Sequence, residues 1–299
     1  MASEPTTVSR EALQAWMLKV LQRKGMFAAD AELVAARLIE AEHRGRGEYG
    51  LALLADIVNA MDLGDIDPRA RTLTVLDLPA SAILDGSTGA GQVGATKAMQ
   101  AAVLKAQTAG VGLVVVKNSQ PCGDVRLYAE LAAQSGCIGF CTTNTGKATL
   151  PAGEAPVFGV HPQAWAVPAG DEVLVSLQFL HEREPQVSGY AGERGLLSLV
   201  LTAGLTGSRT PCLKKKASPY GAGAEHCCLA IHAEVLQAGD ALPAVVTETW
   251  QRMQSSVGGW EGVAKRPVPE QMALSPQGRT AVEDVAQSVR IPWTTEAQG

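Results

Sequence analysis

Three stretches near the start of the chain place apolar residues at helical spacing. Leu13, Trp16, Met17, Val20 and Leu21 recur at i, i+3, i+4, i+7 and i+8 behind Ser9, whose hydroxyl suits an N-cap, and Gly25 follows as a stop. Asp30 is placed as the cap of a second helix that carries Leu33, Val34, Leu38 and Ile39 and ends near Gly45. A third begins near Gly50, lines up Leu51, Leu54, Val58 and Met61, and ends at the Gly64-Asp65 turn. These predict a helical N-terminal layer over residues 1–70.

From Leu73 the period changes. Short apolar runs (LTVL, SAILD, GLVVV, CIGFC, AWAV) are bounded by Gly, Pro, Asn and Asp, with helical segments near 94–109 and 125–134 between them. The alternation predicts an α/β unit over 71–189 whose central strands are covered on both faces. Beyond it come a helix at 196–205, a strand at 227–231, a helix at 241–255 and a Pro- and Gly-rich tail with one helical stretch at 280–288. Residues 190–299 are expected to pack with 1–70 as one domain.

Composition narrows the function classes. A chain of 299 residues that is 46% hydrophobic can bury a large core without disulfide or metal. Its net charge of -5 gives no field for nucleic acid or an anionic membrane, and Lys214 to Lys216 is too short a basic run to change that. With no apolar window of membrane-spanning length and no signal-like start, a cytoplasmic protein is expected. The six cysteines form no CxxC pair and read as reduced, buried thiols. Cys227 and Cys228, between His226 and His232, invite a metal reading, but neighbouring strand residues point to opposite faces, so no metal is assigned.

Gly89-Ala90-Gly91-Gln92-Val93-Gly94 matches G-x-G-x-x-G between a strand and a helix, the context of a dinucleotide-binding turn. The next strand ends in Lys117-Asn118, without the acid that would hold a ribose hydroxyl, and the unit does not begin the sheet. A tight turn and close helix packing explain these glycines better than a Rossmann fold.

Further blocks run in order along nearly the whole chain: Ala41-Glu42-His43-Arg44-Gly45 with Gly50-Leu51, Leu84-Asp85-Gly86 with Gly91-Gln92, Asn118-Ser119, Thr143-Asn144, Gly159-Val160-His161-Pro162, Leu205-Thr206-Gly207 and Arg266-Pro267-Val268-Pro269-Glu270. With these the chain resembles the malate/L-lactate dehydrogenase family, which includes ureidoglycolate dehydrogenases and cyclic imine reductases. The resemblance implies a mixed-sheet, non-Rossmann nicotinamide-binding fold, NAD or NADP as cofactor, a small-molecule substrate and a homodimer. It implies cofactor contacts at Asn118, Ser119, Gly123, Thr143, Asn144, His161, Pro162 and Ser176.

The departures bear on the chemistry. Where the family reads R-G-H-D-S-H-G, this chain has Arg44-Gly45-Arg46-Gly47-Glu48-Tyr49-Gly50, so two histidines are replaced, one of them the family's proposed proton donor or acceptor. Where the family has N-S-x-H-F-G, Pro121 replaces a third. A segment after the strand at Val173-Leu174-Val175-Ser176 is shortened before Gly189-Tyr190-Ala191-Gly192, with Ala191 at the family's lysine position. Reducing a 2-oxo acid or imine needs a hydride donor, a proton donor and a cation for the carboxylate. A phenol, with a reference pKa of about 10, can act as the acid beside a cation. One reading therefore makes Tyr49 the acid, Arg46 the carboxylate ligand and Glu48 the group that orients one of them, with Arg44 an alternative cation. The other makes Arg46, Glu48 and Tyr49 surface or packing residues of a helix start, in a non-catalytic relative or an enzyme of another class that reuses the cleft.

Overall fold

The computed structural model describes residues 7–144, 161–169, 173–179, 196–207, 223–236, 241–256, 263–264 and 268–293. Its helices are α1 (Arg10–Arg23), α2 (Ala28–His43), α3 (Ala52–Asp62), α4 (Gly91–Ala109), α5 (Arg126–Gln134), α6 (residues 196–206, with a π turn at Val200–Gly204), α7 (Ala241–Ser256) and α8 (Pro276–Val289). Its strands are β1 (Thr7–Ser9), β2 (Leu73–Asp77), β3 (Ser81–Asp85), β4 (Val111–Ser119), β5 (Cys137–Thr143), β6 (Gln163–Ala169), β7 (Val173–Phe179), β8 (Ala224–His232), β9 (Val263–Ala264) and β10 (Gln271–Ala273).

The first helices form for the reasons their sequences give. The Ser9 hydroxyl accepts from the Ala12 N–H at 3.3 Å, the five expected side chains of α1 are buried, and Gly25, at φ 96°, turns the chain away. α2 departs from expectation: it starts at Ala28, and Asp30 lies within its first turn, bonded to Lys97 Nζ at 2.9 Å. A carboxylate is favoured anywhere in the first turn by the helix dipole, so its presence does not single out the cap.

Two apolar cores result. The first joins α1, α2 and α3 to Met272, Leu274 and the Val282, Val285, Val289 stripe of α8, and takes in Ala90 and Val93 at the start of α4. The second lies between the sheet and α4 with α5, where Ala95, Ala98, Ala102 and Ala106 let α4 approach the strands closely. The sheet has eight strands in the order β2-β3-β4-β8-β5-β6-β7-β9. Among the described strands only β3 and β4 run parallel, joined through α4; their neighbours pair antiparallel. The G-x-G-x-x-G segment thus opens a lone parallel unit in a mixed sheet, not a doubly wound one.

Successive residues of β8 alternate between faces. Cys228 Sγ contacts the Ala95 carbonyl of α4, while Glu225 Oε1 accepts from Thr206 Oγ1 of α6, so the centre of the sheet is covered on both sides. The edge differs from expectation: every residue of β2 is exposed, Leu73 and Val75 by half, because β3 alone pairs with it. The division at residue 190 does not follow the packing either. β8 inserts between β4 and β5 at the middle of the sheet, while residues 268–293 join the helical core and β10 pairs with β1.

Candidate functional site

α2 ends at His43, and Gly45, at φ 72°, redirects the chain into a 3-10 turn at Gly47–Tyr49. Beneath it lies Glu42, 3% exposed, whose Oε2 accepts from the Leu51 N–H at 3.1 Å and whose Oε1 accepts from the Ser275 N–H at 2.6 Å. Both donors stand at helix starts, where orphan amides and the dipole favour a carboxylate. A Cβ on Gly50 or Gly278 would come within 2.7 or 2.5 Å of the Glu42 carboxylate, which is why these positions carry none. Glu42 therefore fixes the turn against α3 and α8.

On that turn Arg46 Nε donates to Glu48 Oε1 at 2.8 Å, and the Arg46 guanidinium lies 4.9 Å from the centre of the Tyr49 ring. Arg46, the expected carboxylate ligand, thus touches both the expected acid, Tyr49, and the expected orienting group, Glu48. Arg44 is engaged elsewhere: it donates to Glu40 Oε1 at 2.6 Å and to the buried Glu130 of α5. His43 is partly buried, which with the Arg44 charge lowers its pKa, against an opposing pull from Glu40.

The second wall is the loop after β4. A Cβ on Gly91 would sit 1.9 Å from the Gln120 carbonyl oxygen, so glycine is what lets the Gln120-Pro121 peptide cross the first turn of α4. Gly123, at φ 80°, then leaves a slot the size of one methyl group. The point where its Cβ would stand is 3.4 Å from Leu53 Cδ1, 3.4 Å from the Tyr49 carbonyl oxygen and 3.9 Å from Gln92 Nε2. Pro121, Gly123, Tyr49 and Gln92 so converge where α4 begins. Gln92 is 1% exposed and neither Oε1 nor Nε2 has a hydrogen-bond partner; one turn on, the buried Thr96 hydroxyl also lacks one.

The residues expected to hold a cofactor fall into three places. Ser119, Thr143 and Asn144 meet at the ends of β4 and β5, where β8 between them adds two residues that sequence reasoning missed. His226 contacts Thr143 Oγ1 through Nδ1 at 2.9 Å and Ser119 Oγ through Nε2 at 3.1 Å. Because Thr143 Oγ1 donates to the Glu225 carbonyl, it accepts from His226 Nδ1–H, which leaves Nε2 to accept from the Ser119 hydroxyl. Burial holds the His226 pKa down to about 4, so the ring is neutral. Asn144 Nδ2 donates to Glu225 Oε2 at 3.2 Å, and the Glu225 N–H donates back to Asn144 Oδ1 at 2.7 Å. Asn118, at φ 51°, is tied by Nδ2 to Asp85 Oδ1 at 3.1 Å. These side chains are thus bonded to the protein itself. His161 is buried, the Pro162 carbonyl accepts from Thr142 Oγ1, and Ser176 pairs with Ala166 on β7, two strands beyond β5. Gly159, Val160, Gly189 to Gly192, Arg266 and Pro267 lie outside the described residues.

His226 and Glu225 had no signal beyond an apolar strand with flanking cysteines, and their partners are some 81 to 107 residues away. Gln92 had one: it is the polar residue within the glycine block.

The geometry has relatives. The family model described as malate/L-lactate dehydrogenase matches residues 8–177. The malate dehydrogenase of Pyrococcus abyssi is 35% identical over 162 residues, 54% of this chain and 45% of that protein. The L-sulfolactate dehydrogenase of Methanocaldococcus jannaschii is 34% identical over 151 residues, 50% and 44% of the two chains. The chain thus matches about half the length of these curated relatives. Among solved structures, the sulfolactate dehydrogenase of Methanocaldococcus jannaschii superposes with a TM-score of 0.82 over 95% of this chain and 97% of that one, at 21% identity, which shows the fold. With a mixed α/β fold of that kind and a family match over more than half its residues, the chain belongs to the malate/L-lactate dehydrogenase family.

Proposed function

We propose that the chain is a nicotinamide-dependent oxidoreductase acting on a small 2-oxo or 2-hydroxy acid, or on a cyclic imine. The observation that carries this reading is the slot at Gly123, bordered by the Tyr49 carbonyl oxygen, Leu53 and the unpartnered amide of Gln92, next to the turn on which Arg46 stacks over the Tyr49 ring. Gly123 and Gln92 would hold the reactive end of NAD or NADP there. Asn118, Ser119, Thr143 and Asn144 fit less well as side-chain ligands, because each bonds to a protein partner. When bound, a reduced nicotinamide supplies the hydride. Arg46 binds the substrate carboxylate: its pairing with Glu48, half-exposed, is of the surface kind worth about 0–1 kcal/mol, so an incoming carboxylate can displace it. Arg44 is no substitute, since removing it from the buried Glu130 would strand a charge at about 3–5 kcal/mol. Tyr49 then gives or takes the proton.

The test has two parts. NADH or NADPH raises the melting temperature of the wild type by mass action, and Tyr49→Phe slows consumption of the reduced nicotinamide about a hundredfold or more with 2-oxo acids or cyclic imines as substrates. Full activity in Tyr49→Phe rules out the proton role. A second reading, a relative that binds nucleotide without turnover, is favoured by the enclosure of His226, held neutral between Ser119 and Thr143; nucleotide binding without turnover in the wild type would select it. A homodimer belongs to the same proposal, tested by mass in solution. So does a cytoplasmic setting, which accords with five free, buried cysteines among the described residues and with no helix there long and apolar enough to cross a membrane.

A further inference from the structure

We propose that Gln92 is a specificity-determining ligand contact, which selects a group presenting a hydrogen-bond acceptor and a donor side by side. The inference rests on the oxidoreductase reading and deepens it.

A buried amide with neither atom bonded is rare in a folded protein, since such a group keeps its full desolvation penalty. Gln92 is such a group at 1% exposure, and it sits at the second position of a 19-residue helix. The N–H groups of Gly91 and Gln92 have no acceptor within α4 and add donors at the same end. The Thr96 hydroxyl, buried and unpartnered, lies one turn along the same face. Packing does not require an amide here: a residue of the same volume without polar atoms would stand beside Gly123 as well. The side chain therefore has a partner that comes and goes. Its Nε2 needs an acceptor and its Oε1 a donor, so a lone carboxylate satisfies half of it and a ketone does no better. A primary carboxamide satisfies both, and so does a 2-hydroxy acid. The first would be the carboxamide of the nicotinamide, the second the reduced substrate. The slot is bordered by the Tyr49 carbonyl oxygen and Leu53 and is the size of one methyl group, so occupancy has to move one of them.

The experiment compares wild type, Gln92→Met and Gln92→Glu by calorimetric titration and by melting temperature. The probes are NAD against its deamidated analogue, nicotinic acid adenine dinucleotide, and L-malate against oxaloacetate. The wild type is expected to bind the donor-and-acceptor member of one pair at least tenfold tighter, and the pair that shows this names the source. Gln92→Met reduces that ratio to near one while its ligand-free melting temperature stays level or rises, because an unpaired amide has been removed. Gln92→Glu keeps the volume, loses the donor and binds the same ligand at least tenfold more weakly. An undiminished ratio in both variants overturns the inference and leaves the oxidoreductase reading standing. A lower ligand-free melting temperature in Gln92→Met with the ratio intact also overturns it, because the amide is then structural. If none of the probes binds the wild type, the reading and the inference fall together.

Discussion

Burial decides the protonation state of His226, and the consequence is a pH dependence of folding. Its pKa is about 4 in the folded chain against an ordinary value of 6.5, so between those limits the unfolded state binds more protons than the native one. Stability from this group is complete above about pH 6.5 and is lost as pH falls towards 4, by about 3 kcal/mol at about 1.4 kcal/mol per unit. Replacing His226 with Gln removes the titration. The variant is less stable at neutral pH, having lost the bonds to Ser119 and Thr143, but its denaturant midpoint changes less between pH 6.5 and 4 than that of the wild type. Equal slopes in the two proteins would mean that the imidazole opens to water before it is protonated. Glu42 is buried as well, with its carboxyl oxygens met by two backbone N–H donors at helix starts and by three close glycines.

At the scale of elements, α4 is the component on which the site is built. Its first turn carries Gln92, its glycines admit the loop at Gln120 and the side chain of Ser119, and its alanines rest on the sheet. Gly91→Ala would gain about 1 kcal/mol in helix propensity but drives a methyl into the Gln120 carbonyl 1.9 Å away. Overpacking of that kind costs about 1–3 kcal/mol or more, so a lower melting temperature and weakened nucleotide binding are expected together. Gly94→Ala, whose Cβ would stand 3.0 Å from Ser119 Oγ, is expected to be milder; the reverse order would mean that the loop moves freely. The elements themselves were legible from periodicity because their patterns are local: the five buried residues of α1 and the runs that became β3 to β6 needed no knowledge of the rest. The start of α2 was not, since an acid in a first turn and an acid at a cap look alike. The exposure of β2 and the place of β8 between β4 and β5 were not either, because strand pairing joins residues such as Val114 and Cys228 that the sequence keeps far apart. In the site, the closeness of Arg46, Glu48 and Tyr49 could be read because they are neighbours in one turn. The bonding of His226 could not, nor the enclosure of Gln92, which the sequence marks only as the polar residue of the glycine block, because both come from what folding places beside them.

For the molecule as a whole, the question is whether the two cores fold separately. α4 belongs to both: Ala90 and Val93 pack with the N-terminal helices and α8, while Ala95 and Met99 pack against the sheet. Lys97 of the same helix bonds Asp30 of α2, and Arg44 of α2 reaches Glu130 of α5. A helix cannot retain half of its turns against one core while the other dissolves without exposing buried apolar surface, so the cores are expected to unfold together. Two aromatic pairs report on them separately. Trp16 and Trp293 stack edge to face at 5.4 Å in the helical core, and Phe140 and Trp165 lie 4.6 Å apart on the sheet. In variants that keep either Trp16 or Trp165 as the single tryptophan, the fluorescence transitions in urea should coincide, and Val93→Ala should shift both midpoints down by the same amount. Separate transitions, or a shift confined to the Trp16 reporter, would show that α4 is a hinge between two independent units and that the slot at its first turn can open without the sheet.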